Sequence, residues 1–95
     1  MTQQEVLSFL SQHKQEFENR FSITKIGLFG SVAKDEHTSE SDIDLVVEMR
    51  DKNYFKLIEF ENYLKEHFHS KIDVGFLESM KSYIKEQVSK DLIYV

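Results

Sequence analysis

The chain reads as an α/β protein in which helices and strands alternate in the order α-β-α-β-α-β-α, the helices lying against one sheet. Three observations predict this. Apolar residues recur at helical spacing near the start, in the middle and near the end of the chain. Three short runs carry apolar residues at the two-residue period of a strand. Punctuation between them is sparse, with three glycines and no proline.

The elements follow in order. Thr2-Gln3-Gln4-Glu5 fits a capping box, in which a threonine hydroxyl and a glutamate three residues on satisfy each other's orphan amides. Val6, Leu10, Phe17 and Phe21 then recur at helical spacing, predicting a helix from about residue 3 to about 19. Residues 25–29 form the first strand, ended by Gly30. A short helix from Ser31 to about Asp35 and a polar loop, His37-Thr38-Ser39-Glu40-Ser41, lead to a strand at 43–49. In that strand Ile43, Leu45 and Val47 share one face, and Asp42, Asp44 and Val46 the other. Residues 53–67 predict a helix whose apolar stripe uses Tyr54, Leu57, Ile58, Leu64 and Phe68. A strand at 71–76 sets Ile72, Val74 and Phe76 opposite Asp73. The chain closes as a helix from 78 to about 92 through Ile84 and Val88.

Ninety-five residues suffice for one core, and with no repeat or linker the expected organisation is one domain over 1–95. The 40% hydrophobic and 31% charged content places the chain among globular proteins rather than disordered ones. No apolar run approaches the roughly 20 residues of a membrane span, and the N-terminal stretch MTQQEVLSFL lacks a basic and an apolar leader region. Without cysteine there is neither a disulfide framework nor a thiolate zinc site. Cytoplasmic residence is the expectation. The net charge of −5 argues against bulk DNA or RNA as ligand. A nucleoside triphosphate stays admissible, because it needs only a few local donors and a metal ion.

The chemistry concentrates in GLFGSVAKDEHTSESDIDLVV, residues 27–47. Asp42 and Asp44 stand two apart on a strand, so their side chains point the same way from Cα atoms roughly 6–7 Å apart. Converging carboxylates at that spacing can share divalent ions about 3.5–4 Å apart. Taken alone, such a pair more often caps a turn and faces water. Gly30 lets the chain turn sharply after a strand, and the amides that follow favour an anion. Ser31 adds a hydroxyl there and Lys34, one turn on, a cation that can reach a phosphate. Asp73 sits in the apolar strand KIDVGF, either on the exposed side of an edge strand or beside the aspartate pair. If its strand neighbours 43–49, the roughly 4.8 Å strand spacing brings all three carboxylates within reach of one metal pair. Three hard oxygen donors without His or Cys suit Mg²⁺, completed by water and substrate phosphate.

Other chemistries lack their residues. There is no P-loop, no nucleophile elbow and no dinucleotide fingerprint. Val46 and Glu48 occupy positions that a calcium loop built on Asp42 would need for other ligands. His67-Phe68-His69 has only His13 and His37 as further imidazoles and no cysteine to complete a metal site. Phe55, Phe60 and Tyr63 fall off the main stripe of the 53–67 helix. That extra apolar surface fits either a protein interface or a core that wraps the helix on two sides.

Gly30-Ser31, then Ser41-Asp42-Ile43-Asp44-Leu45-Val46-Val47, then Asp73 within KIDVGF resemble the minimal nucleotidyltransferase family of the polymerase-β-type superfamily. The resemblance covers nearly the whole chain, and the combined pattern is far more specific than its pieces. It implies a minimal nucleotidyltransferase fold, a small mixed sheet flanked by helices. By this resemblance Gly30 and Ser31 seat the β- and γ-phosphates of ATP, assisted by Lys34. Asp42 and Asp44 ligate two Mg²⁺, and Asp73 completes the metal site and helps to deprotonate the acceptor hydroxyl. The family has Arg where Lys34 stands and Gly where Asp35 stands; Lys keeps the charge but not the bidentate fork.

Many such proteins are the antitoxin of a pair with a HEPN-domain toxin, and transfer AMP from ATP to a tyrosine of that toxin. The resemblance therefore implies an Mg²⁺-dependent protein adenylyltransferase with a HEPN-type partner. Too few residues remain to build an acceptor-holding domain, which also favours a protein acceptor. The alternatives are a non-catalytic antitoxin that occludes its toxin and, less favoured, a nucleotidyltransferase acting on a small molecule.

Overall fold

The computed structural model describes residues 2–38 and 40–95. Its helices are α1 (Gln3–Gln12), α2 (Lys14–Phe21), α3 (Gly30–Ala33), α4 (Tyr54–Phe68) and α5 (Ser82–Asp91). Its strands are β1 (Ile23–Phe29), β2 (Ile43–Met49), β3 (Ile72–Gly75) and β4 (Ile93–Tyr94), with a 3-10 turn at Leu77–Ser79. The sheet order is β3-β2-β1-β4, parallel between β2 and β3 and antiparallel elsewhere. The α/β architecture with a small mixed sheet is thus as expected; its first helix and its C-terminal end are not.

The helix predicted from 3 to about 19 is two helices. Thr2 caps the first, its hydroxyl accepting from the Glu5 N–H at 3.1 Å. At His13 the backbone turns to φ −103°, ψ 8°. The imidazole Nδ1 sits 2.9 Å from the Phe9 carbonyl, which also accepts the His13 N–H at 3.1 Å. A side chain crowding into the hydrogen-bond ladder is one of the recognised causes of a kink. The second helix then runs to Phe21, two residues past the predicted end, where Ser22 adopts the left-handed conformation and closes it. Val6, Leu10, Phe17 and Phe21 are all buried, as their spacing requires.

β1 begins at Ile23 rather than 25, with a register irregularity between Ile23 and Lys25. The 37–41 loop is closed by Thr38 N–H donating to Ser41 Oγ at 2.8 Å, while Ser39 lies outside the described residues. Asn53 caps α4 by accepting from the Lys56 N–H at 3.1 Å.

On α4 the predicted stripe holds at Leu57, Leu64 and Phe68 but not at Tyr54 and Ile58. Leu57, Phe60 and Leu64 face the core, with Tyr63 and Phe68 packed against it, whereas Tyr54 and Ile58 are exposed. Phe60 is fully buried between Phe17 and Phe21, at centroid distances of 5.0 and 5.8 Å. The off-stripe aromatics therefore divide: Phe60 and Tyr63 serve a core that wraps the helix, and Phe55 is left outside at 81% exposure.

The closing helix predicted from 78 to about 92 is shorter. Met80 and Lys81 are extended, α5 spans only Ser82–Asp91, and Leu92 turns extended again. Ile93 and Tyr94 then pair with Leu28 and Gly27 as a fourth strand. Gly27 leaves room for the packing there: a Cβ would lie 2.6 Å from Leu92 Cδ1 and 3.1 Å from the Tyr94 ring, so those side chains would have to shift.

The sheet has two unlike faces. Ile26, Leu28, Ile43, Leu45, Val47 and Ile72 join one hydrophobic cluster with α1, α2 and α4. Val46 and Val88 are also buried but stand outside that cluster, on the side shared by Asp44 and α5. Alternation along β2 thus splits a stability face from a chemical one.

Candidate active site

At the end of β1 the chain turns at Gly30 with φ +78°, a conformation that L side chains rarely adopt. Register puts Phe29 opposite Asp44. Consequently a Cβ on Gly30 would overlap the Asp44 carboxylate. Glycine is required here twice over, by backbone conformation and by the carboxylate packed against it. Ser31 follows, half-buried, while Val32 and Ala33 anchor the turn from below. Gln3 Nε2 donates to the Ala33 carbonyl at 2.6 Å, tying the turn to α1. Asp35 adopts the left-handed region at φ 61°, a conformation that glycine takes without strain. Aspartate is among the few non-glycine residues that visit it readily.

Asp44 and Asp73 are direct partners across the parallel β2–β3 pair. The sequence left the neighbour of the KIDVGF strand open; pairing now sets its aspartate beside the Asp42/Asp44 edge. Asp73 is exposed, and Asp42 and Asp44 are half-buried. Burial pushes the Asp44 carboxyl above its ordinary value of 3.8, and the negative charges of Asp73 and Asp42 push the same way, against a smaller opposing effect of Lys71. Lys71 Nζ lies 3.9 Å from Asp42 Oδ2. Among the described residues no three acidic or imidazole side chains already converge on one point. The three aspartates form an edge of like charge with a single lysine drawn against its outer member. Such an edge is stabilised by added positive charge.

Lys34, at the end of α3, points to α5. Its Nζ lies 3.7 Å from Asp91 Oδ2. Between them a cleft of about 180 Å³ opens beside Gly30, lined also by Phe29, Gln87 and Val88. The histidines of HFH sit elsewhere: His67 stacks on Phe9 at 3.7 Å, and His69 ends α4 in the left-handed conformation.

Two neighbours of this region escaped the sequence reading. Lys71 stands two residues before Asp73 and could have been found by that spacing. Asp91 carried no signal at all, because only the placement of α5 brings it to Lys34.

The model of the nucleotidyltransferase domain family matches residues 10–95. This chain belongs to the nucleotidyltransferase family. The nucleotidyltransferase is 34% identical over 96 residues to the protein adenylyltransferase MntA of Thermococcus cleftensis, covering 100% of this chain and 97% of that protein. It is 35% identical over 96 residues to a Methanocaldococcus jannaschii protein provisionally named a protein adenylyltransferase, covering 99% of this chain and 98% of that one. Among solved structures, one provisionally described as a minimal nucleotidyltransferase superposes with a TM-score of 0.79 at 22% identity, over 98% of this chain and 95% of the other. A toxin–antitoxin crystal structure with AMP-PNP superposes at 0.69 and 22% identity, over 99% of this chain and 72% of that chain. At such identity these superpositions speak for the fold, which is that of the minimal nucleotidyltransferases.

Proposed function

We propose that this nucleotidyltransferase is an antitoxin that transfers AMP from ATP to a hydroxyl, most plainly a tyrosine, of a HEPN-type toxin partner in the cytoplasm. The observation that carries this reading is the edge-on meeting of Asp44 with Asp73 and with the backbone of Gly30. It brings an acidic pair and a glycine turn to one end of the sheet. The acidic row fits Mg²⁺: three hard carboxylates, of which Asp44 has its pKa raised first by burial and then by the neighbouring charges of Asp73 and Asp42. Asp42, Asp44 and Asp73 would hold two such ions, which when bound neutralise charge on the transferring phosphoryl group.

The chain's own groups would then divide the work. Gly30 and Ser31 seat the β- and γ-phosphates, with Lys34 contributing a cation, which aligns the α-phosphorus with the incoming hydroxyl. Asp73, the most exposed of the three carboxylates, takes the acceptor's proton. The acceptor oxygen bonds to the α-phosphorus, the bond from that phosphorus to the α,β-bridging oxygen breaks, and pyrophosphate leaves. Positioning and charge compensation supply most of the rate in such a transfer. Incubation with labelled ATP, Mg²⁺ and the cognate partner tests the reading. Equal labelling of the partner by wild type and an Asp42→Asn/Asp44→Asn double variant would sink it.

A second reading, neutralisation by occlusion alone, draws on Tyr54, Phe55 and Ile58, which leave 65%, 81% and 52% of their surfaces exposed on one end of α4. Loss of cellular protection by the double aspartate variant, with the complex still formed, would leave that reading without support.

A further inference from the structure

Lys34 is not a free cation waiting for phosphate. It lies 3.7 Å from Asp91, across the cleft that opens beside Gly30, and both side chains are substantially exposed, at 44% and 36%. The pair joins two separate elements, the end of α3 and the last residue of α5. Asp91 ends α5, and the chain turns at once into β4, which pairs with β1. That pairing sets the backbone beside Asp91, whose side chain is short, while the lysine has a long flexible stem.

We propose that Asp91 is a positioning residue that exchanges Lys34 with the triphosphate. This rests on the nucleotide reading given above. In the free protein Asp91 holds the ammonium on the α5 side of the cleft. An arriving triphosphate, with several negative charges at the Gly30–Ser31 turn, competes for the same ammonium. When pyrophosphate departs, Asp91 takes the lysine back. An exposed ion pair of this length is weak, which is what an exchange requires, since a strong pair would withhold the lysine. Fixed negative charge at Asp91 also lies beside the phosphates, so the residue loosens both the triphosphate and the pyrophosphate product.

This predicts that Asp91→Asn tightens binding of ATP and of pyrophosphate alike, by roughly two- to five-fold each at low salt, as expected for an exposed pair. In a Lys34→Gln background the same substitution should give a smaller gain, because the exchange partner is gone. AMP, which lacks the β- and γ-phosphates, should bind both proteins equally. Raising the salt concentration should shrink the difference, since the charges are near the surface.

Calorimetric titration of the full chain with AMP-PNP, pyrophosphate and AMP in Mg²⁺ reads all of this without turnover or an acceptor. Tighter AMP-PNP and pyrophosphate binding by Asp91→Asn, reduced in the Lys34→Gln background, is the expected result. Unchanged or weaker binding by Asp91→Asn, with wild type binding normally, would overturn the exchange alone. An equal gain with and without Lys34 would also overturn it, reducing Asp91 to a simple repulsive charge. If wild type binds none of the three, the nucleotide reading fails and the exchange falls with it.

Discussion

The two faces of the sheet obey different rules although the same strands supply both. Toward α1, α2 and α4, Ile43, Leu45 and Val47 are at most 3% exposed and meet an aromatic cluster of Phe17, Phe21 and Phe60. Toward α5, the alternating positions hold Asp42 and Asp44, with Asp73 alongside, and little is buried beyond Val46 and Val88. One face therefore concentrates hydrophobic free energy, and the other spends some of it on crowded carboxylates. The difference teaches that a small domain can carry a destabilising acidic edge when its opposite face is packed densely enough.

Substitutions can break this contrast, beginning with the largest effect. Phe60→Ala removes the aromatic keystone of the packed face and should lower unfolding free energy by about 3–5 kcal/mol, read from urea denaturation. On the chemical face, Asp42→Asn/Asp44→Asn should cut transfer of labelled AMP by at least about 100-fold while urea midpoints hold or rise. A stability loss there as large as that at Phe60 would erase the distinction between the faces.

Gly30→Ala tests the junction. Left-handed backbone alone costs an alanine about 1–2 kcal/mol, and the new methyl must push the Asp44 carboxylate aside, so stability and transfer should fall together. Asp44→Asn sharpens the electrostatic half of the comparison. Because the folded protein holds the Asp44 proton above the ordinary pKa of 3.8, ionisation of this group subtracts stability as pH rises past that value. In chelator, the Asn variant should therefore melt higher than wild type at neutral pH. The advantage should vanish below about pH 3.8, where the carboxyl is protonated folded or unfolded. Adding Mg²⁺ should raise the wild-type melting temperature and leave that of the variant nearly unmoved. The smallest stability effect is expected at Phe55→Ser, within about 0.5 kcal/mol, since that ring is 81% exposed. Its readout is the affinity for the proposed toxin partner.

Much of this was legible beforehand where one local rule decides the outcome. Thr2 caps because its hydroxyl reaches an amide three residues on, and β2 alternates because a strand has a period of two. The sequence was ambiguous where two local rules were balanced. A stripe that joins Tyr54 and Ile58 to Leu57, Leu64 and Phe68 is as regular as one that takes Phe60 and Tyr63 in their place, and packing against Phe17 and Phe21 chooses the second. His13 looks like an ordinary helix residue until its ring finds the Phe9 carbonyl. Ile93-Tyr94 is too short to announce a strand without β1 beside it.

By itself, then, the sequence determined the α/β class, the aspartate-bearing face of β2, the Gly30 turn and the membership of Asp73 in an apolar strand. These follow from periodicity, glycine's conformational freedom and the alternation of side chains. Only the tertiary structure decided that β3 lies parallel to β2, so that Asp73 meets Asp44, and that α5 returns Asp91 to Lys34. Residues 29 and 57 positions apart come together through packing of whole elements, and no local preference encodes which elements will be neighbours.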